Sequence, residues 1–244
     1  MPTGASNPYG ITSGPDGNLW FAEYCGAQIG KITTAGAITE YAILAFNPRP
    51  SGIVSGPDGS LWFTEFAGDN IGKISTNGVI TEYVLPSGGN PNSITSGPDG
   101  NLWFVETNGN RIGKITTAGT ITEYAIPTSN SQPRDGIVSG PDGNLWFTEC
   151  GGNKIGKITT AGAITEYTIP TSGAQPEGIA AGSDGNLWFT ELRGNKIGKI
   201  TTAGVMTEYP VPTAGAGPFG IASGPDGSLW FTENFSNKIG KVQL

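Results

Sequence analysis

The chain has 244 residues, with 40 glycines, 18 prolines, only 14% charged residues and a formal net charge of −7. Its acidic balance argues against nucleic acid and anionic membrane surfaces as partners, because phosphate binding relies on clustered lysine and arginine. No apolar stretch approaches the ~20 residues of a membrane-spanning helix, and the first residues carry no signal segment, so a soluble chain of unknown compartment is expected.

The predicted elements recur at a fixed period. Six tryptophans are spaced by 42, 41, 43, 42 and 42 residues, each within a version of GPDGNLWFTE that is followed by IGKI, or by IGKV in the last repeat: Trp20, Trp62, Trp103, Trp146, Trp188 and Trp230. This period is the length of one four-stranded propeller blade. The sequence therefore predicts an all-β fold, a six-bladed β-propeller of four-stranded antiparallel blades that forms a single domain over residues 1–244.

The first repeat shows the four strands in chain order, and we label them a to d. Strand a is predicted over 10–13, strand b over 18–23, strand c over 29–33 and strand d over 37–43. The GPDG turn between a and b has the residues of a type I turn, and Leu-Trp-Phe in strand b lacks polar alternation, which is typical of burial on both faces. The ITEY motif of strand d, which reads MTEY in the fifth repeat, occurs only five times. The last blade is therefore expected to lack its outer strand, leaving 238–242 as an open edge.

The motifs GPDGNLWFTE, NKIGKIT and ITEYxIP, in this order, resemble the repeats of the virginiamycin B lyase (streptogramin lyase) family and, more distantly, NHL-type propellers. The resemblance covers essentially the whole chain. It implies a seven-bladed lyase that linearises cyclic depsipeptide antibiotics by elimination, with a catalytic histidine and a magnesium ion near the ring axis.

The family's histidine falls in a Pro-x-Gly-Ile segment, and this chain contains no histidine. The residues at the corresponding positions are Tyr9, Ser51, Asn92, the pair Arg134 and Asp135, Glu177, and Phe219. A lyase activity in this chain would therefore need another base, and the candidates are Glu177 and Asp135.

Chain direction predicts where a ligand would bind. The d-to-a and b-to-c loops share one edge of the blades, which we call the top rim, and these loops differ in every repeat, whereas the turns of the opposite edge barely vary. Variable loops on a rigid scaffold are the usual place for binding. The top rim is therefore the predicted binding funnel.

The predicted ligand-binding residues fall into three groups. The aromatic residues of the sixth, first and second blades are expected to form a crescent, the charged residues lie on the fourth and fifth blades, and two polar Pro-x-Gly-Ile residues complete the set. The aromatic residues are Tyr9, Tyr24, Phe46, Phe66, Phe219 and Phe235; the charged ones are Arg134, Asp135, Glu177 and Arg193; the polar ones are Ser51 and Asn92.

Three functions remain open from the sequence. The first is a non-catalytic propeller that binds a small or medium-sized ligand, such as a cyclic peptide or glycan, or a protein partner. The second is a divergent lyase with a carboxylate base, the one case in which magnesium would be expected. The third is an engineered or amplified repeat scaffold without a ligand. The residues themselves predict no metal site or cofactor, and the chain is expected to be a monomer.

Several repeated residues are predicted to be structural. The glutamate that closes each strand b is expected to accept hydrogen bonds from backbone N–H groups of the adjacent top loop. Lys31 and Glu40 are expected to pair across strands c and d. Cys25 and Cys150 lie in opposite blades of a six-fold ring and are predicted to be free thiols.

Overall fold

The computed structural model describes all 244 residues and consists of 23 strands in six antiparallel sheets. No helix in it is long and apolar enough to cross a membrane. The chain divides into two compact units, residues 1–125 and 126–244. Whether the whole chain acts as one domain stays a prediction.

The first unit contains three sheets of four strands, each ordered as in the sequence. Sheet 1 comprises β1 (Pro8–Ser13), β2 (Leu19–Glu23), β3 (Gln28–Ile32) and β4 (Ile38–Ala42). Sheet 2 comprises β5 (Pro50–Ser55), β6 (Leu61–Glu65), β7 (Asn70–Ile74) and β8 (Ile80–Val84). Sheet 3 comprises β9 (Pro91–Ser96), β10 (Leu102–Glu106), β11 (Arg111–Ile115) and β12 (Ile121–Ala125).

The second unit repeats this arrangement, but its last sheet has three strands. Sheet 4 comprises β13 (Pro133–Ser139), β14 (Leu145–Glu149), β15 (Lys154–Ile158) and β16 (Ile164–Thr168). Sheet 5 comprises β17 (Pro176–Ala181), β18 (Leu187–Glu191), β19 (Lys196–Ile200) and β20 (Met206–Pro210). Sheet 6 comprises β21 (Pro218–Ser223), β22 (Leu229–Glu233) and β23 (Lys238–Val242). The predicted class, a six-bladed β-propeller whose last blade lacks its outer strand, is confirmed.

The first strand of each sheet begins earlier than the sequence predicts. In sheet 1, Pro8 pairs with Glu23, and the register then shifts before Ile11 pairs with Phe21. A bulge of this kind bends the strand and changes the direction of nearby side chains. It therefore brings the Pro-x-Gly-Ile residues to the top rim.

A cluster centred on the tryptophan recurs in the sheets. It explains why the motifs repeat in the same order along this chain. The Trp20 indole nitrogen donates a hydrogen bond to Asp16 Oδ1 at 3.0 Å, and the Trp20 ring stacks on Tyr41 with a centroid distance of 5.6 Å. Lys31 lies over the same indole at 5.1 Å and 3.8 Å from Asp16. The predicted Lys31–Glu40 pair is therefore wrong, because the lysine is drawn to the turn aspartate and the indole face, whereas Glu40 accepts hydrogen bonds from Thr3.

Neighbouring sheets within each unit pack face to face through one repeated contact. In the first unit, Trp20 and Ile29 of sheet 1 pack with Leu61 and Phe63 of sheet 2. In the second unit, Trp188 and Ile197 of sheet 5 pack with Leu229 and Phe231 of sheet 6. One face of each sheet thus presents tryptophan and isoleucine to the next sheet, and the other presents leucine and phenylalanine to the preceding one.

Candidate ligand pockets on the top rim

Backbone hydrogen bonds fix the top loops of the first unit against one another. The Tyr24 N–H donates to the Asn7 carbonyl at 3.1 Å, and the Phe66 N–H donates to the Arg49 carbonyl at the same distance. The Asn90 side chain donates to the Phe66 carbonyl at 2.7 Å. Each b-to-c loop is therefore tied to a d-to-a loop, so the aromatic side chains that they carry are held on a defined backbone.

These loops form an aromatic pocket in the first unit, a cavity of about 170 Å³. Its lining residues are Asn7, Tyr9, Tyr24, Ser51, Phe66 and Asn92. The Tyr24 ring lies 6.2 Å from the Tyr9 ring and 6.4 Å from the Phe66 ring, within the range of favourable aromatic pairs. The guanidinium of Arg49 lies 5.6 Å from the Tyr24 centroid, a cation–π distance. The pocket therefore offers ring faces, a cation and polar groups together.

The structure gathers five predicted residues into this pocket and leaves out a sixth. Phe46 is 96% exposed and does not line it. Asn7 lines the pocket, and Arg49 lies beside it over the Tyr24 ring; neither was predicted. The signal for Arg49 was present, since it lies two residues before Ser51, at the end of the loop that leads into β5, but its stacking on Tyr24 depends on a contact between two different loops.

The second unit has its own pocket on the top rim, a cavity of about 340 Å³ rich in polar side chains. Its lining residues are Gln132, Arg134, Cys150, Gly151, Asn153, Gly173, Gln175 and Arg193. Asn153 holds the loops together, because its side chain accepts from the Ala174 N–H at 2.7 Å and donates to the Thr171 carbonyl at 3.0 Å. Arg134 and Arg193 were predicted as ligand-binding residues, whereas the amides of this pocket were not.

Glu177 is buried beside this polar pocket, with 2% of its surface exposed. Its Oε1 accepts hydrogen bonds from Gln175 Nε2 at 3.0 Å and from the Cys150 thiol at 3.5 Å, while its Oε2 has no hydrogen-bond partner. Burial and, to a lesser extent, the nearby Asp135 carboxylate raise the pKa of Glu177. The two predicted base candidates are therefore electrostatically coupled.

Both cysteines are free thiols, as predicted. Burial and then the Glu177 carboxyl raise the pKa of Cys150 to about 12. Cys150 therefore stays protonated at neutral pH and acts as a hydrogen-bond donor rather than a nucleophile.

The two phenylalanines predicted in the last blade line neither the aromatic nor the polar pocket. The Phe219 carbonyl accepts a hydrogen bond from Thr190 at 2.6 Å, so its backbone is part of the contact between sheets 5 and 6. Phe235 is exposed and lies against Gly217. Their membership of a shared aromatic crescent stays a prediction.

The glutamates that close strand b differ from the expectation. Neither carboxylate oxygen of Glu149 or of Glu191 accepts a hydrogen bond, although both side chains are fully buried. Burial and the neighbouring Glu166 carboxylate raise the pKa of Glu149 to about 8. The predicted capping by backbone N–H groups is therefore wrong for these two residues. The raised pKa holds Glu149 largely as a neutral carboxylic acid at pH 7.

No three His, Cys, Asp or Glu side chains lie close enough together to hold a metal ion. Glu177 Oε1 is already engaged by two donors, and its Oε2 is covered by protein. Magnesium prefers several oxygen ligands in octahedral geometry, so these side chains do not fit the ion that the family resemblance implies.

The six antiparallel sheets place the protein among the β-propellers. Comparison with known proteins defines it further. The model of the virginiamycin B lyase family matches residues 1–176 and 87–244, so the chain belongs to this family. No curated protein sequence gives a match.

Solved structures of the family are closely similar. A streptogramin B lyase structure is 45% identical with a TM-score of 0.94, over 100% of this chain and 81% of that one. A catalytically inactive histidine-to-alanine variant of virginiamycin B lyase from Staphylococcus aureus with quinupristin is 46% identical, again with a TM-score of 0.94, over 100% of this chain and 83% of that one. A structure described as a putative gluconolactonase, at 16% identity and a TM-score of 0.67 over 97% of this chain and 88% of that one, shares the fold alone.

Proposed function

We propose that this chain is a non-catalytic binding member of the virginiamycin B lyase family, whose aromatic pocket takes an aromatic side chain of a cyclic peptide. The observation that carries the proposal is the grouping of Tyr9, Tyr24 and Phe66 around one cavity, with the Arg49 guanidinium on the Tyr24 ring. Rigid aromatic side chains supply large contact areas at low entropic cost.

The absence of histidine supports binding without turnover. The chain has no histidine, and a lyase of the family in which one histidine is replaced by alanine is described as catalytically inactive. That same variant is described with quinupristin. Loss of histidine is thus compatible with a retained ligand in that relative, and quinupristin is the first ligand to test on this chain.

A titration with quinupristin, followed by calorimetry, tests this proposal. We expect saturable binding, and we expect Tyr24→Ala to weaken it by about tenfold, the loss of ~1.4 kcal/mol, because Tyr24 contacts both neighbouring rings and Arg49. Phe46→Ala is the matched control, since Phe46 is exposed and outside the cavity. Equal affinities of the two variants would refute the assignment of the pocket.

A second candidate function is a divergent lyase with Glu177 as the base. The observation in its favour is the raised pKa of Glu177, whose carboxyl accepts hydrogen bonds from Gln175 and Cys150 of the polar pocket. In such an elimination the carboxylate would remove a proton from the carbon next to the ester-bearing carbon, the alkyl C–O bond would break, and the ester would leave as a carboxylate while a C=C bond forms. Mass spectrometry of quinupristin after incubation with the protein and magnesium separates the two functions: a ring-opened product that Glu177→Gln abolishes would establish the lyase.

A further inference from the structure

Sheet 6 exposes an apolar face that the other sheets bury. Trp230 is 42% exposed and Ile239 is 64% exposed. The equivalent tryptophans Trp20, Trp62, Trp103, Trp146 and Trp188 are all at most 4% exposed. A shallow apolar depression of about 340 Å³ on this face is lined by Ile221, Ala222, Trp230, Phe231 and Ile239, together with Gly220 and Thr232. An exposed apolar face of this kind marks an interaction surface.

Sheet 1 exposes its other face, the one that carries leucine in each sheet. Ile11 is 62% exposed and Leu19 is 44% exposed, whereas their equivalents in sheet 2, Ile53 and Leu61, are buried. Ile53 and Leu61 are buried because the tryptophan face of sheet 1 packs on them. The face that sheet 1 presents is therefore the kind of surface that a tryptophan face covers elsewhere in this chain.

Three hydrogen bonds accompany these sheet-to-sheet contacts and repeat with the sequence. A strand-a serine donates to a strand-a carbonyl of the preceding sheet, as Ser223 does to Ala181 at 2.6 Å. A strand-b threonine donates to the carbonyl of the residue after the strand-a proline of the next sheet, as Thr190 does to Phe219. A strand-c lysine donates to a turn carbonyl of the next sheet, as Lys157 does to Thr202 at 3.3 Å.

Sheets 6 and 1 carry all the groups that these three bonds require. By position in the repeat, Ser13 corresponds to the serine donor, Thr232 to the threonine donor and Lys241 to the lysine donor. Their acceptors would be the carbonyls of Ser223, Tyr9 and Thr34, respectively. The two exposed faces are therefore complementary in polar groups as well as in apolar side chains.

We propose that the tryptophan face of sheet 6 binds the Ile11–Leu19 face of sheet 1 from a second copy of this chain. Trp230 and Ile239 would pack on Ile11 and Leu19, as Trp20 and Ile29 pack on Ile53 and Leu61. Because the two faces differ, the contact is head to tail, and each bound copy presents a further face for growth. This departs from the monomer expected from the sequence, and it does not depend on the proposed ligand.

Two variants, each with one face blocked, test the proposal by analytical ultracentrifugation. Ile11→Glu/Leu19→Glu blocks the face of sheet 1, and Trp230→Glu/Ile239→Glu blocks the face of sheet 6. We expect the unchanged chain to form oligomers whose mass rises with concentration, and we expect each variant alone to be a monomer. An equimolar mixture should give a one-to-one dimer and nothing larger, because each dimer carries one intact contact and two blocked faces.

A monomeric unchanged chain, or a mixture that stays monomeric, would overturn the proposal. A monomer whose Trp230 fluorescence is shielded from soluble quenchers would show instead that the chain covers this face itself. Val84→Glu is the matched control, because Val84 is exposed on β8 outside both faces and the variant should associate like the unchanged chain. If a double variant lost its native circular dichroism, Leu19→Glu alone or Ile239→Lys alone would replace it in the same mixture.

Discussion

At the scale of single residues, close approach explains why glycine recurs in the IGKI motif. A Cβ atom at Gly72 would lie 2.1 Å from Cζ of the Phe63 ring, and its equivalents meet a phenylalanine ring in the same way. The ring is buried in the contact with the preceding sheet, so it cannot move aside without loss of packing. The glycine thus allows a large aromatic side chain to lie flat across strand c.

This packing predicts the effect of a single methyl group. Gly72→Ala should lower the free energy of unfolding by about 1–3 kcal/mol, the usual cost of overpacking a core. Gly4→Ala is the control, because no atom lies within 4 Å of its added Cβ. Equal urea midpoints for the two variants would show that the Phe63 ring adjusts without cost.

The buried glutamates predict how stability depends on pH. With its pKa raised from 4.5 to about 8, Glu149 holds a proton in the folded state that the unfolded chain releases above pH 4.5. The stabilising contribution of Glu149 to the free energy of unfolding is therefore fully present below pH 4.5. It is lost as the pH rises to about 8.

Glu149→Gln removes this titration and isolates its effect. We expect the variant to lose less stability than the unchanged chain between pH 5 and 8, by roughly 1–3 kcal/mol, since each unit of pKa difference corresponds to about 1.4 kcal/mol. At pH 4 the two proteins should differ least. Denaturation curves whose difference stays constant across this pH range would contradict the assignment.

Sequence reasoning at this scale succeeded where neighbours within one short motif decide the environment. The buried Trp20 and the Gly14–Gly17 turn could both be read from one motif. The environment of Glu149 could not, because it depends on Glu166 in another strand and on the depth of burial. The Lys31–Glu40 pair failed for the same reason, since Lys31 contacts Asp16 and Trp20 instead.

At the scale of strands, sheet 6 shows how strand c is paired when the outer strand is missing. Strand β19 and strand β23 have nearly the same sequence, KIGKI and KIGKV, but β19 pairs on both sides whereas β23 pairs only with β22. The missing strand was predicted because the strand-d motif, ITEY or MTEY, occurs five times and the strand-c motif six. The bulge after Pro8 was not predicted, because register shifts depend on pairing between strands.

Hydrogen exchange tests the consequence of this difference. We expect the amides of β23 to exchange at least tenfold faster than those of β19, because an edge strand opens locally at a lower free energy than a paired one. Strand β15, which shares the KIGKI sequence and is paired on both sides, should behave like β19. Slow exchange in β23 at high protein concentration alone would indicate that association protects it.

At the scale of the whole molecule, the repeats defined the fold class and the family, but only part of the candidate site. Tyr9, Tyr24 and Phe66 were predicted as ligand-binding residues and line one pocket. Phe46 was assigned to the same group because its loop belongs to the top rim, but its side chain extends away from the pocket and is 96% exposed. Loop position is set by the repeat, whereas the direction of each loop side chain depends on contacts between loops.

The central claim is that this member of the virginiamycin B lyase family binds a cyclic peptide without opening it. A crystal structure of the protein grown with quinupristin and magnesium tests this claim most directly. Our account predicts an intact macrocycle in contact with Tyr24 and Phe66. A ring-opened ligand, or an intact one bound away from these two side chains, would contradict it.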